Sequence, residues 1–293
     1  MLAALRRRTG RCRQLAPLLG QAAFGLSASA PGDRDPTPGV DFGFARVAED
    51  AKARLIGDLF GRVAPRYDFM NDLMSGGLHR LWKDRLVARL GPFPGMRHLD
   101  VAGGTGDVAF RVLDAIRAAE ARRARSVAVK GSVVVCDLTP EMLEAGKRRA
   151  ANRRIDQGLE WVQGDAEALP LEDDSVDGYT VAFGIRNVTH IDRALSEALR
   201  VLKPGGHFLC LEFSKVEGRA LAQLYDAYSF NVIPMLGRWV AGDEGSYRYL
   251  VESIRRFPPQ DEFAGMIKGA GFGCVSYENL MAGVVAIHSG FKL

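Results

Sequence analysis

The stretch His98-Leu99-Asp100-Val101-Ala102-Gly103-Gly104-Thr105-Gly106-Asp107 constrains the fold of this chain more than any other. A short apolar run stops at three glycines packed around a threonine. A helix-patterned run, Val108-Ala109-Phe110-Arg111-Val112-Leu113, follows at once. Glycines at such a place let the backbone approach a ligand closely. Strand–glycine turn–helix junctions of this kind lie at the carboxyl edge of open α/β sheets, where nucleotide-like ligands bind. Alone the motif is ambiguous, because Gly104-Thr105-Gly106-Asp107-Val108-Ala109 also satisfies the loose dinucleotide pattern G-x-G-x-x-A.

From residue 96 onward, strand-like and helix-like segments alternate. Strands are predicted at 98–101, 132–136, 159–162, 176–181 and 207–213, and as a late pair near 273–280 and 283–289. Helices are predicted at 108–119, 139–152, 192–201, 219–240 and 259–270, with Thr139 as N-cap and Pro140 in the first turn of the second. This alternation implies an α/β fold with a doubly wound, mostly parallel seven-stranded sheet. A short turn joins the last two strands, which pair antiparallel at an edge. The basic run at 122–130 reads as an exposed connector. Residues 41–90 precede the sheet. Neither Phe42-Gly43-Phe44 nor Ala64-Pro65-Arg66-Tyr67-Asp68-Phe69-Met70-Asn71 reads as strand, so a helical cap over the pocket is expected there.

Charge separates the first residues from the rest. Residues 1–32 hold Arg6, Arg7, Arg8, Arg11 and Arg13 and no acidic residue, although the whole chain carries only +4. The body is therefore close to neutral, which argues against nucleic-acid binding. The leader is Arg-rich, with Leu, Ala and Ser between the arginines, as in a mitochondrial transit peptide. Residues 31–40 read as a linker. The expected organisation is leader and linker over 1–40 and one domain over 41–293. That domain comprises the 41–90 cap, the 96–293 sheet core and a helical insertion near 219–256. Of the four cysteines, Cys12 lies in the leader, Cys136 and Cys210 sit in apolar runs, and no spacing suggests a metal. No apolar run approaches the roughly 18–20 residues of a membrane span.

Three acceptors on three successive strand ends narrow the ligand. Thr105 adds a hydroxyl to the glycine turn. Asp137, ending the second strand, can accept from both ribose hydroxyls of a nucleoside. Asp165, after the third, can take an adenine amino group, and the backbone of Ala166 can meet the ring. The link Leu202-Lys203-Pro204-Gly205-Gly206 then stops a helix and feeds the fifth strand. In this order the motifs resemble the class I S-adenosylmethionine-dependent methyltransferases, which implies that fold and S-adenosyl-L-methionine as cofactor.

Longer strings sharpen the resemblance. Tyr67-Asp68-Phe69-Met70-Asn71-Asp72-Leu73-Met74-Ser75, His79-Arg80-Leu81-Trp82-Lys83, Phe183-Gly184-Ile185-Arg186-Asn187-Val188-Thr189 and Ser246-Tyr247-Arg248-Tyr249-Leu250 resemble the ubiquinone/menaquinone-biosynthesis C-methyltransferase family. Tyr225-Asp226-Ala227-Tyr228-Ser229-Phe230 and Ala282-Gly283-Val284-Val285-Ala286-Ile287-His288 agree. One departure is Ala182, where some bacterial relatives carry serine. The resemblance implies C-methylation of a 2-methoxy-6-polyprenyl-1,4-benzoquinol ring. With the leader, it also implies a peripheral protein on the matrix side of the mitochondrial inner membrane, within a multi-protein coenzyme Q complex. The alternative is another small aromatic or lipid acceptor. Arg186 is the expected catalytic residue, stabilising phenolate and positioning water, because a guanidinium stays charged and cannot itself be the base; its other reading is an ion pair with an acidic neighbour. Asn187 and His190 are candidate helpers, although His190 also reads as a helix start. Tyr67 and Asp68 are candidates for closing the pocket. Residues 221–240 are apolar and aromatic-rich, which suits either a surface for a polyprenyl tail and membrane or a homodimer contact.

Overall fold

In the computed structural model, the described residues are 39–293 apart from 65–66, 123–128, 219–222, 224–226, 230–234 and 236–243. The leader, most of the basic connector and most of the apolar segment 221–240 lie outside them. The chain opens with a hairpin, β1 (Gly39–Phe42) and β2 (Ala45–Ala48), paired antiparallel. This corrects the expectation of a helical cap at Phe42-Gly43-Phe44, where Phe42 ends β1 and Gly43-Phe44 make the turn. Gly43 turns the chain with φ +60°, and Phe42 stacks on Tyr249 with ring centroids 4.4 Å apart. Strands of four residues are too short to show periodicity, so a tertiary anchor decides the conformation. Three helices follow as expected: α1 (Glu49–Val63), α2 (Tyr67–Ser75) and α3 (Leu78–Leu90).

The core begins with β3 (Arg97–Val101), α4 (Asp107–Arg122), β4 (Ser132–Asp137) and α5 (Pro140–Asn152). It continues through β5 (Leu159–Gln163), β6 (Val176–Ala182), α6 (Ile191–Val201) and β7 (Leu202–Phe213). After the insertion come α7 (Glu244–Arg256), α8 (Gln260–Gly269), β8 (Gly273–Leu280) and β9 (Val285–Phe291). The sheet order is β5-β4-β3-β6-β7-β9-β8. The pairs from β5 to β7 are parallel, and β9 runs antiparallel between β7 and β8. Strand order reverses between β3 and β6, the point where such sheets open a crevice at their carboxyl ends.

Both sheet faces are buried, so the inner strands are apolar without interruption. On β4, Val134 and Cys136 pack with Leu99, Val101 and Phe208 on one face. Val133 and Val135 pack with Val108, Val112 and Leu113 of α4 on the other. Each such fully buried aliphatic side chain stabilises the fold by about 1.5–3 kcal/mol relative to exposure. The Lys203-Pro204-Gly205-Gly206 link departs from its expected form. It is not a loop before the strand but a bulge within β7, since Val176 pairs with Leu202 while Gly178 pairs with His207. Gly205, at φ +81°, donates its N–H to the Lys292 carbonyl at 2.7 Å, tying the bulge to the last strand.

Candidate active site

The site grows from the end of β3. Ala102, Gly104 and Gly106 all have positive φ (51°, 53° and 79°), so the chain coils tightly between β3 and α4. A Cβ on Gly103 would stand 2.6 Å from Val135 and 2.9 Å from the Asp100 carbonyl, which leaves room only for glycine. The turn forms one wall of a crevice bordered by the ends of β3, β4 and β6 and by the segment after β5, while Gly103 donates its N–H to the Cys136 carbonyl at 3.1 Å and Gly106 to the Gly103 carbonyl at 2.8 Å. Thr105, Asp137, Asp165 and Ala166 all line this one crevice, as their places in the sequence required.

Their partners define what each can do. Asp137 Oδ2 accepts from Gly104 N–H at 2.8 Å, and Oδ1 accepts from Thr139 N–H at 2.9 Å. One carboxylate thus clamps the glycine turn to the start of α5 and keeps a second lone pair on each oxygen. Burial pushes its carboxyl up, and the two N–H donors pull against that. Asp165 Oδ1 accepts from Glu167 N–H at 2.9 Å, closing a tight turn that presents Ala166. Thr105 is buried and already engaged. It donates to Asp68 Oδ1 at 3.1 Å and accepts from Arg149 at 2.6 Å, which fastens the turn to α2 and α5. Asp68 therefore does reach the glycine turn from the cap.

A second crevice adjoins the first. The two are of similar size, and Phe60, Lys83 and Phe183 line both. The second is walled by Leu59, Val63, Met70, Met74, Trp82 and Tyr247, with Arg186 among them. Arg186 borders the second crevice and not the first. Its Nη1 donates to both oxygens of Glu212, at 2.8 and 3.1 Å, and to the Phe183 carbonyl at 2.6 Å. The pair is dry, with side chains 5% and 1% exposed. Burial pushes the Glu212 carboxyl up, while Arg186 and the Phe213 N–H oppose it. Arg186 Nε is buried and has no partner. Asn187 Oδ1 accepts from Tyr249, and His190 caps α6 with its ring between Glu167 and Glu49.

Residues 46–292 match the ubiE/COQ5 methyltransferase family. The chain belongs to that family. It is 60% identical over 260 residues to the mitochondrial 2-methoxy-6-polyprenyl-1,4-benzoquinol methylase of Oryza sativa subsp. japonica, covering 87% of this chain and 88% of that one. The Homo sapiens protein of the same name is 50% identical over 305 residues, with 94% and 93% covered. Among solved structures, the [4+2]-cyclase SpnF aligns with a TM-score of 0.58 at 17% identity, over 82% of this chain and 96% of that one. An S-adenosylmethionine-dependent methyltransferase from Thermotoga maritima aligns at 0.55 and 21%, over 81% and 100%. At such identities the structures share the fold alone. This ubiE/COQ5 methyltransferase is a class I, S-adenosylmethionine-dependent enzyme.

The first crevice fits that cofactor. A Cβ on Gly104 would stand 2.9 Å from Met142 and fill the cradle beside Asp137. Asp100 also lines it, and its Oδ2 is buried with no hydrogen-bond partner, an acceptor ready for a cationic group. Asp100 Oδ1 accepts from Thr180, whose hydroxyl also meets His98 Nε2.

Two buried charged side chains beside the crevices, Lys83 and Glu212, escape a sequence reading. Lys83 is buried and donates to Asp107 Oδ2 at 2.8 Å. Burial alone would raise the Asp107 carboxyl, but Lys83 and Arg111 hold it well below the usual carboxylate range. A signal for Lys83 existed. Lys83, Leu86, Val87 and Leu90 fall at i, i+3, i+4 and i+7, so a lysine occupies the apolar stripe of α3. Glu212, the acid at the end of the buried run Phe208-Leu209-Cys210-Leu211, carried a weaker one.

Proposed function

We propose that this enzyme transfers the methyl group of S-adenosylmethionine to a ring carbon of a 2-methoxy-6-polyprenyl-1,4-benzoquinol in ubiquinone synthesis. The observation that carries this reading is the pair of adjoining crevices, one edged by strand-end carboxylates and the other walled by apolar side chains with one arginine. The names of the relatives from Oryza sativa and Homo sapiens support the same acceptor. The cofactor supplies an electrophilic methyl group on a sulfonium. Asp137 accepts from the ribose hydroxyls, Asp165 from the adenine amine, the Ala166 backbone meets the adenine ring, and Thr105 holds the turn that faces the cofactor.

Ring carbon is a poor nucleophile until a neighbouring hydroxyl ionises, and a phenol resembles tyrosine, with a pKa near 10. The protein must therefore favour phenolate in the acceptor crevice and align carbon, methyl and sulfur at attack distance. Arg186, fixed by Glu212, offers its remaining N–H groups to a quinol oxygen and to a water that takes the proton. The Arg-rich leader and the mitochondrial names of the relatives support a mitochondrial address, with the 1–40 segment as transit peptide and linker and 41–293 as the enzyme. We place the mature protein on the matrix face of the inner membrane as a peripheral member of a multi-protein assembly. There its polyprenyl substrate resides in the bilayer. No helix among the described residues is long and apolar enough to cross a membrane. The test is direct: purified protein, labelled S-adenosylmethionine and a short-tailed methoxy-benzoquinol, with the product mapped for carbon against oxygen methylation. Carbon methylation is expected, and oxygen methylation overturns the assignment.

A further inference from the structure

We propose that Lys83 is a catalytic residue that holds the ionised ring hydroxyl next to the carbon receiving the methyl group. The assignment rests on the reading of the second crevice as a phenolic acceptor site. Among the described residues, Phe60, Lys83 and Phe183 are the ones that border both crevices. The methyl group has to cross where they meet. Lys83 is the charged member of that set. The oxygen that activates an ortho carbon is separated from it by two covalent bonds, so a cation serving that oxygen has to stand beside the crossing point. Arg186 borders the acceptor crevice and not the cofactor crevice, and its Nη1 is engaged by Glu212 and the Phe183 carbonyl. A 1,4-quinol has a second oxygen across the ring, and that one is left for Arg186.

The surroundings of Lys83 suit the role. Its side chain is 6% exposed, and in so dry a place a cation acts on an oxyanion far more strongly than in water. An ammonium has three N–H donors. Asp107 accepts one, at 2.8 Å, and no other hydrogen-bond partner occurs among the described residues. Asp107 also binds Arg111 and Arg149, so it does not cancel Lys83 alone. The other titratable groups near Lys83 are Asp100 at the end of β3 and His79 one turn earlier on α3. In the transfer step the hydroxyl first loses its proton to water. The oxygen lone pair then drives the ring carbon onto the methyl, and sulfur keeps the electrons of the bond that breaks. The carbon–hydrogen proton finally leaves and the oxygen regains one, restoring the phenol. Lys83 stabilises the oxyanion with which this sequence starts and is released from it as the charge is spent.

The test uses 2-methoxy-4-nitrophenol, whose phenolate absorbs in the visible, titrated on the protein with S-adenosylhomocysteine present. The wild type is expected to lower the probe's pKa by about one unit or more. Lys83→Met and Lys83→Gln, each saturated with S-adenosylhomocysteine, are expected to lose most of that shift. Their turnover is expected to fall about tenfold or more near neutral pH and to recover as the pH rises. Unchanged probe pKa in the wild type, or the full shift retained in both variants, overturns the assignment. A second measurement needs no variant. 2-Hydroxy-3-methoxybenzaldehyde puts a carbonyl carbon at the ring position beside the hydroxyl. Its imine with a lysine, formed with loss of water and reduced by borohydride, is expected at Lys83 in the peptide map. An adduct at other lysines only, or no adduct, overturns the assignment too. A wild type that C-methylates the short-tailed quinol yet fails these tests sinks the Lys83 assignment alone. A wild type that does not C-methylate the quinol sinks the reading beneath it.

Discussion

Asp100 sits where cofactor binding, folding and pH meet. Burial pushes its carboxyl up to about 7, against the pull of Thr180 and Lys83. A carboxyl whose folded pKa lies above its unfolded value contributes stability that is complete below pH ~4 and is lost as the pH rises through ~7. Asp100→Asn keeps the shape and the acceptor for Thr180 but cannot ionise. The variant is therefore expected to gain stability relative to wild type between pH 4.5 and 7.5, on the order of 1–2 kcal/mol or more, and to gain little above pH 8. Urea midpoints of both proteins across that range give the answer, and a constant difference refutes it. His98, held down to about 3 by burial, titrates with the opposite sign in both proteins and drops out of the difference. Arg186 and Glu212 invite a second measurement. Arg186→Met strands a buried carboxylate and is expected to cost about 3–5 kcal/mol, at least half of it recovered by adding Glu212→Gln. Equilibrium unfolding measures both, and a single-variant loss under about 1 kcal/mol shows that the pair is not the buried charge couple described. The double variant then reports the loss of turnover without the buried charge. Asp137 and Asp165 were legible because a strand end is local in sequence. Glu212 was not, because its meaning depends on an arginine 26 residues away.

Elements meet closely where β3 and β6 end. A Cβ on Gly184 would lie 2.4 Å from the Cβ of Ala102, closer than carbon atoms pack. Ala102 itself has φ 51°, a conformation that suits glycine better. Gly184→Ala is thus expected to destabilise by about 1–3 kcal/mol and to loosen the cofactor turn. Ala102→Gly is expected to change stability by less than about 1 kcal/mol and, in the double variant, to restore most of the loss. Chemical unfolding and calorimetric binding of S-adenosylmethionine check both, and additive losses would show that the two positions do not compete for space. At this scale the parallel strands were readable, since long apolar runs buried on both faces carry their own signal. The β1–β2 hairpin was not, because its stacking partner Tyr249 comes 207 residues after Phe42. Neither was the bulge at Lys203–Gly206 in β7, whose glycine N–H finds its acceptor on Lys292 at the far end of the chain.

At the scale of the whole molecule, the proposed substrate raises a question of delivery, from a bilayer to a buried ring site. α2 stands between the two environments. Met70 and Met74 wall the acceptor crevice, whereas Phe69 and Leu73, one residue back in each case, are 59% and 38% exposed. An i, i+4 apolar pair facing water on the outer side of a helix that lines the acceptor crevice is hard to explain by packing. Leu81, near the start of α3 beyond the Gly76-Gly77 turn, is a further apolar side chain left 63% exposed. These side chains can bury themselves in the outer part of a lipid leaflet and bring the crevice wall to the membrane. Phe69→Glu with Leu81→Glu should leave the fold and S-adenosylmethionine affinity unchanged, since neither side chain is part of the buried core. It should weaken partition onto anionic liposomes about thirtyfold or more, each lost apolar contact contributing about 1 kcal/mol or more. Methylation of a short-tailed, water-soluble quinol should persist, while that of a long-tailed quinol in vesicles should fall in step with flotation. If flotation is unaffected, the membrane face lies elsewhere, and residues 221–240 become the segment to test. If short-tailed turnover falls equally, α2 serves the crevice and not the bilayer.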